Sequence, residues 1–213
     1  MKKAILLFAI VCVFAGGITA QQIQRSPIEG RWVSDGRGDD YLFTEVIFFG
    51  NVMLYIWDDE PFYGGQSVTY TGNTIRFSDD YSGWQYRLSG DRLSIVTEDD
   101  EQFSFTRAAA QRNPLQGIWR VTEGEYYDTP DEDFYFIFFD DVMAEYYGYG
   151  FEGIKIEFAG SIFRPTRDSM EFLEGENFSE EDWRDYAVEY RVSGNSLTFN
   201  LSDGESIRLT KVY

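Results

Sequence analysis

The sequence predicts an all-β fold of two tandem small antiparallel β-barrels or curled meanders, and three observations carry that expectation. First, Pro27-Ile28-Glu29-Gly30-Arg31-Trp32-Val33 returns as Pro114-Leu115-Gln116-Gly117-Ile118-Trp119-Arg120-Val121. Second, two endings match, Phe103-Ser104-Phe105-Thr106-Arg107 and Ile207-Arg208-Leu209-Thr210-Lys211. Third, apolar residues between these landmarks alternate with polar ones in short runs broken by Gly, Asn and Asp, the period of half-buried strands joined by tight turns.

Taken in order, residues 1–20 read as a secretory signal: Lys2 and Lys3, the apolar run Ala4 to Ala15, then Ile18-Thr19-Ala20 before Gln21. That run is short for a bilayer span, and no later stretch is apolar for long enough to make one. The only cysteine, Cys12, lies inside the signal, so the exported chain carries no thiol, disulfide or cysteine metal site. The sequence places the protein in the periplasm or outside the cell, without a lipid anchor.

The first unit spans residues 27–107. Gly50-Asn51, Gly72-Asn73 and Gly90-Asp91 separate apolar runs as hairpin turns. In Trp84-Gln85-Tyr86-Arg87-Leu88-Ser89 the apolar side chains share one face. Residues 108–113 form a linker, and the second unit spans 114–213, with Asp140-Asp141, Gly160-Ser161 and Gly194-Asn195 at the matching turns. It carries an acidic insertion at about residues 164–185. Ser179 and Asp182 could cap a single helical turn ending near Tyr186, and no other stretch has helical periodicity.

The residue inventory excludes several classes of function. There is no histidine and the formal charge is −19. Triads that need an imidazole base are ruled out, and so is the commonest transition-metal ligand. A field of this sign repels phosphate backbones and anionic lipid, leaving cationic or neutral partners. The acidic clusters, such as Asp58-Asp59-Glu60 and Glu180-Glu181-Asp182, lack the spacing of a calcium loop and read as solvated turns. No carboxylate pair is set in an apolar motif, so the chain reads as non-enzymatic, with no cofactor and no metal site.

The repeated Gly-x-Trp resembles the first strand of the lipocalin-like proteins of the calycin group, and of their small bacterial forms in particular. In that group the indole plugs the closed end of a barrel and a basic side chain from the last strand packs on it. The resemblance implies that role for Gly30, Trp32 and Arg107, and again for Gly117, Trp119 and Lys211. It also implies a lumen that takes a small apolar or aromatic molecule. Aromatic residues make up 18% of the chain, enough to supply such a wall. The candidates are Tyr55, Trp57, Tyr70 and Tyr86 in the first unit, and Tyr147, Tyr149, Phe158 and Tyr190 in the second. The expectation is an exported binding protein for a small apolar or aromatic ligand. The alternative is an envelope structural or protein-interaction module with solid barrels, because the interior of an eight-stranded barrel is just filled by its own side chains.

Overall fold

The computed structural model describes residues 25–36, 43–57, 62–77, 83–124, 134–146, 150–174, 179 and 184–213. These form sixteen strands and one helix. The first eight are β1 (Gly30–Ser34), β2 (Phe43–Phe49), β3 (Val52–Trp57), β4 (Phe62–Thr71), β5 (Thr74–Phe77), β6 (Gly83–Ser89), β7 (Arg92–Val96) and β8 (Gln102–Arg107). The second eight are β9 (Gly117–Glu123), β10 (Tyr135–Phe139), β11 (Val142–Tyr146), β12 (Phe151–Ala159), β13 (Ile162–Pro165), β14 (Val188–Ser193), β15 (Ser196–Asn200) and β16 (Ser206–Lys211), with α1 (Arg167–Glu174) after β13.

Each strand pairs antiparallel with the next, and the last of each eight returns to the first. β8 closes on β1 through Trp32↔Arg107, and β16 closes on β9 through Lys211↔Trp119. The chain is therefore an all-β structure of two closed antiparallel barrels, called ring 1 and ring 2 below. Because the strands alternate in direction, the tight turns at Gly50, Gly72 and Gly90 all fall at the end where β1 begins, and the longer connections fall at the opposite, open end. Ring 2 follows the same rule with turns at Asp140, Gly160 and Gly194.

Alternation along the strands sorts the apolar side chains into three cores. Trp32, Phe48, Met53, Leu93 and Phe105 meet inside ring 1, and Trp119, Phe138, Phe163, Leu197 and Leu209 meet inside ring 2. The opposite faces of β2 and β3 are just as apolar, with Ile47, Phe49, Val52, Leu54 and Ile56 all buried. They pack against Ile137, Phe139, Val142, Ala144 and Tyr146 of ring 2 to make the third core, between the rings. This explains why β2 and β10 read as nearly continuous apolar runs: both of their faces are covered.

The rings are also joined by hydrogen bonding. The first residues of β4 leave β5 and pair with β12 as Phe62↔Ile154, Tyr63↔Gly153, Gly64↔Glu152 and Gly65↔Phe151. The contact is reciprocal, like that of a twofold dimer: Tyr63 of ring 1 lies opposite Gly153, and Phe151 of ring 2 lies opposite Gly65. Phe49 and Phe139, which hold corresponding places in β2 and β10, meet each other with ring centroids 5.0 Å apart. Any side chain at Gly65 would begin 2.6 Å from Leu54 Cδ2 and 2.9 Å from the Met53 carbonyl.

One element departs from the sequence expectation. The insertion holds α1, eight residues long, where only a loop and one later turn were expected. The helix is too short to show periodicity, and its start is fixed locally: the Ser169 amide donates to Thr166 Oγ1, and the Ser169 hydroxyl donates to the Lys155 carbonyl of β12 at 3.1 Å. Met170 is fully buried beneath it. The turn expected between Ser179 and Tyr186 lies mostly outside the described residues, although Arg184 and Asp185 are helical. Residues 1–20 also lie outside them.

Gly65→Val is expected to lower the unfolding free energy by about 1–3 kcal/mol, the usual cost of overpacking, and chemical denaturation followed by fluorescence measures it. The third core predicts one cooperative transition for both rings, which calorimetry on the intact chain checks by comparing calorimetric with van't Hoff enthalpy.

Candidate functional site

The closed end of each ring is built the same way. Ser26 and Asn113 open a turn in which the side-chain oxygen accepts from the amide two residues on, Ile28 at 3.3 Å and Leu115 at 2.7 Å. That turn drives Ile28 and Leu115, both fully buried, into the ring ends as plugs. The indole of Trp32 then donates to the Ile28 carbonyl at 2.9 Å, and that of Trp119 to the Leu115 carbonyl at 2.7 Å. The next carbonyl takes the cation: Arg107 Nη1 donates to Glu29 O at 2.7 Å, and Lys211 Nζ to Gln116 O at 2.8 Å. Arg107 Cζ lies 4.1 Å from the Trp32 ring centre, and Lys211 Nζ lies 5.4 Å from that of Trp119. Gly30 and Gly117 have φ of +143° and +154°, a backbone that side chains rarely adopt. A Cβ at Gly117 would begin 2.5 Å from Lys211 Cε. Glycine there leaves room for the cation.

The aromatic residues expected to line a ligand wall fall into three groups. Four of them lie toward the closed ends. The hydroxyls of Tyr86 and Tyr190 each donate to a turn carbonyl, Gly72 O and Gly160 O, at 2.9 Å. The Tyr70 hydroxyl is buried beside Ser26, and burial raises its pKa. Phe158 packs on Phe163 and Tyr190. Tyr55 stands apart, near the open end of ring 1. Tyr147 and Tyr149 lie outside the described residues, and Trp57 belongs to β3 without a described side chain. Tyr55, Tyr70 and Tyr86 all pack against the core of ring 1, and Phe158 and Tyr190 against that of ring 2.

Two constellations were not singled out in the sequence. The first is polar and sits between the rings. Arg31, on the outer face of β1, bonds Glu45 at 2.7 Å and Asp141 at 2.5 Å, and the Tyr63 hydroxyl donates to Glu45. Burial alone would lower the Arg31 pKa, but the bond to Glu45 and the surrounding acids hold it above its ordinary value. Burial and the Glu45 charge raise that of Tyr63. Beside them, Asp140 occupies the left-handed turn position held by Gly50 in ring 1, at φ +50°. Asp140 Oδ1 accepts from the Gln111 amide at 3.1 Å, while Oδ2 is buried without a hydrogen-bond partner among the described residues. Burial raises its pKa. The Arg31 network is a joint between the rings, tying Glu45 of ring 1 to Asp141 of ring 2.

The second constellation is aromatic. At the open end of ring 1, Phe43 meets Tyr55 at 4.9 Å, Trp84 at 5.7 Å and Phe103 at 6.2 Å, and Phe77 meets Trp84 at 4.6 Å. Phe43, Phe77 and Phe103 are buried, whereas Tyr55 and Trp84 are half-buried. The Tyr55 ring covers Gly64, where a Cβ would begin 3.1 Å from Tyr55 Cε2. The Gly64-Gly65 pair inside a strand was the signal that could have pointed here, since paired glycines mark close approach of another group.

The fold and site together define a double all-β barrel whose closed ends are locked and whose open ends differ. No family model and no curated protein matches the chain. Among solved structures, the β chain of DNA polymerase III from Streptococcus pneumoniae TIGR4 is similar at 10% identity, over 89% of this chain and 60% of that one. The TM-score is 0.14, and a likeness at that level carries no argument.

Arg107→Met is expected to cost about 1–2 kcal/mol of stability through loss of the cation over the indole and the bond to Glu29, read from denaturant midpoints. Asp140→Gly acts in the opposite sense, because it removes a left-handed non-glycine residue and a buried carboxyl, and is expected to stabilise by about 1 kcal/mol at neutral pH. The Asp140 pKa is raised in the folded state, so the carboxyl favours folding in its neutral form and opposes it once ionised. The advantage of the glycine variant should therefore grow as the pH rises from about 3.8, the ordinary Asp value. Thermal melts across that range test the sign.

Proposed function

We propose that this protein is an exported, non-enzymatic interaction module, lipocalin-like in the way each barrel closes, whose rings act as rigid supports and not as ligand cups. The observation that carries this reading is that rings from opposite walls touch. In ring 2, Phe138 of β10 meets Phe163 of β13 at 5.6 Å and Phe199 of β15 at 6.0 Å, and Phe163 meets Phe199 at 5.4 Å. In ring 1, Phe43 of β2 reaches Trp84 of β6. Side chains that meet across the axis fill the lumen that a carrier keeps open.

Export rests on the amino-terminal sequence, and the charge of −19 makes a cationic or neutral partner the better match. Among the described residues no helix is long and apolar enough to cross a membrane. A panel of fatty acids, retinoids and haem tests the proposal against the carrier reading. Tryptophan fluorescence and the thermal midpoint should stay unmoved by every compound. Saturable quenching with a raised midpoint would instead establish a lumen ligand.

A further inference from the structure

The two rings share one plan, so each serves as a control for the other. They part company at the turn between their second and third strands, which is Gly50-Asn51 in ring 1 and Asp140-Asp141 in ring 2. Both turns join the same register, Phe49↔Val52 and Phe139↔Val142. Gly50 and Asp140 take the same left-handed backbone, at φ +58° and +50°. Glycine makes that turn without strain, whereas a residue with a Cβ does not. Asp140 adds a second cost, since it is only 2% exposed and its Oδ2 has no hydrogen-bond partner among the described residues. The turn accounts for neither. A strained residue that also buries an unsatisfied oxygen points to a role beyond its local backbone.

What surrounds Asp140 is the joint between the rings. The charges that face it are Arg31 from β1, Glu45 from β2 and Asp141 from its own turn. Arg31 directs Nη2 to Glu45 and Nη1 to Asp141, and Glu45 also accepts from the Tyr63 hydroxyl of β4. The linker presents neutral groups: the Gln111 amide donates to Asp140 Oδ1, and the Asn113 side chain donates to the Asp140 carbonyl at 2.7 Å. β12 brings Lys155 opposite Val142, and Arg112 of the linker is exposed. Three carboxyl groups thus lie around one guanidinium, and Asp140 is the one it does not bond. Ionised, Asp140 is a buried charge beside two others of its own sign, with no donor at Oδ2. Protonated, it is neutral and carries a hydrogen there. The same residue fastens the linker to ring 2, next to the ion pair that crosses from Arg31 to Asp141.

We propose that Asp140 is a proton-operated clasp: taking up one proton tightens the joint between the rings, and giving it up loosens the joint while each ring stays closed. Burial raises the Asp140 pKa in the folded protein, so the neutral carboxyl belongs to the tight joint. In a loosened joint the group is solvated and returns toward 3.8, its ordinary value. The joint is therefore tightest at low pH and loosens as the pH rises through the raised value. The locks do not share this dependence, because the Trp32 indole and the Arg107 guanidinium are held by backbone carbonyls. Each open end is part of a ring that meets the other here, so the proton sets how firmly one is held against the other.

The test is amide hydrogen exchange on the full exported chain from about pH 4.5 to about pH 8, corrected for the intrinsic pH dependence of exchange. Residues 62–65 and 151–154 report the seam, and residues 30–34 and 102–107 report the lock of ring 1. Lowering the pH across this range should raise protection of the seam about fivefold relative to the lock. Asp140→Asn mimics the neutral carboxyl and should keep the seam highly protected throughout. Asp140→Gly restores the turn of ring 1 and should likewise abolish the pH dependence. Asp141→Asn leaves the Asp140 carboxyl in place and should retain it. A flat profile for the unaltered chain, or seam and lock changing in parallel, would overturn the clasp. So would a pH dependence that survives Asp140→Asn or disappears with Asp141→Asn.

Discussion

Two carbonyls in succession hold each barrel shut. Ile28 O receives the Trp32 indole and Glu29 O receives the Arg107 guanidinium, and the guanidinium then lies on the indole that the first carbonyl has fixed. First strand, last strand and the turn before the first strand are thereby tied at one point, and Leu115, Gln116, Trp119 and Lys211 repeat the arrangement. Without this point an eight-stranded meander is an open sheet with two bare edges. With it, the tight turns are anchored at one end and the variable connections are confined to the other.

What makes one structure of two rings is a second constraint, the approach of β4 to β12. Here the chain uses glycine where the lock uses charge. Gly65 and Gly153 accept the aromatic side chains Phe151 and Tyr63 of the other ring, so the seam is self-complementary in the manner of a homodimer. The polar network around Arg31 breaks that symmetry. Its counterpart position in ring 2 is Ile118, an apolar member of the same interface, so only one side of the joint carries buried charge. Removing one member of such a network would leave an uncompensated buried charge.

Much of this was legible in the sequence, and the reason is local. The Gly-x-Trp echo, the matched endings and the Gly-Asn turns each state a requirement of nearby backbone, so strands, turn positions and both locks could be read from Gly30, Trp32, Arg107 and their counterparts. The third core was not legible, because Ile47 and Phe49 alternate correctly with Val46 and Phe48 whichever face is covered. The height of the aromatic candidates along each barrel was hidden for a related reason. Parity turns Tyr86 and Tyr190 toward the ring cores, against which both pack, but it says nothing about height along the barrel, and both sit where a turn carbonyl takes their hydroxyl. The pairing of β4 with β12 depends on a register between strands from different rings, for which a single sequence carries no local sign beyond the paired glycines.

The position of the seam also sets an order of assembly. Ring 1 contains everything needed for its own lock once β8 has been made, since β1 and β8 are both in hand. Its outer face on β2 and β3, and the free edge of β4 from Phe62 to Gly65, can be covered only after β10 to β12 emerge. During synthesis the chain therefore passes through a stage with a finished lock, an exposed apolar face and an unpaired edge, the features by which β proteins aggregate. Partners or chaperones that hold nascent strands would find their most demanding target there, in a molecule whose finished form hides both.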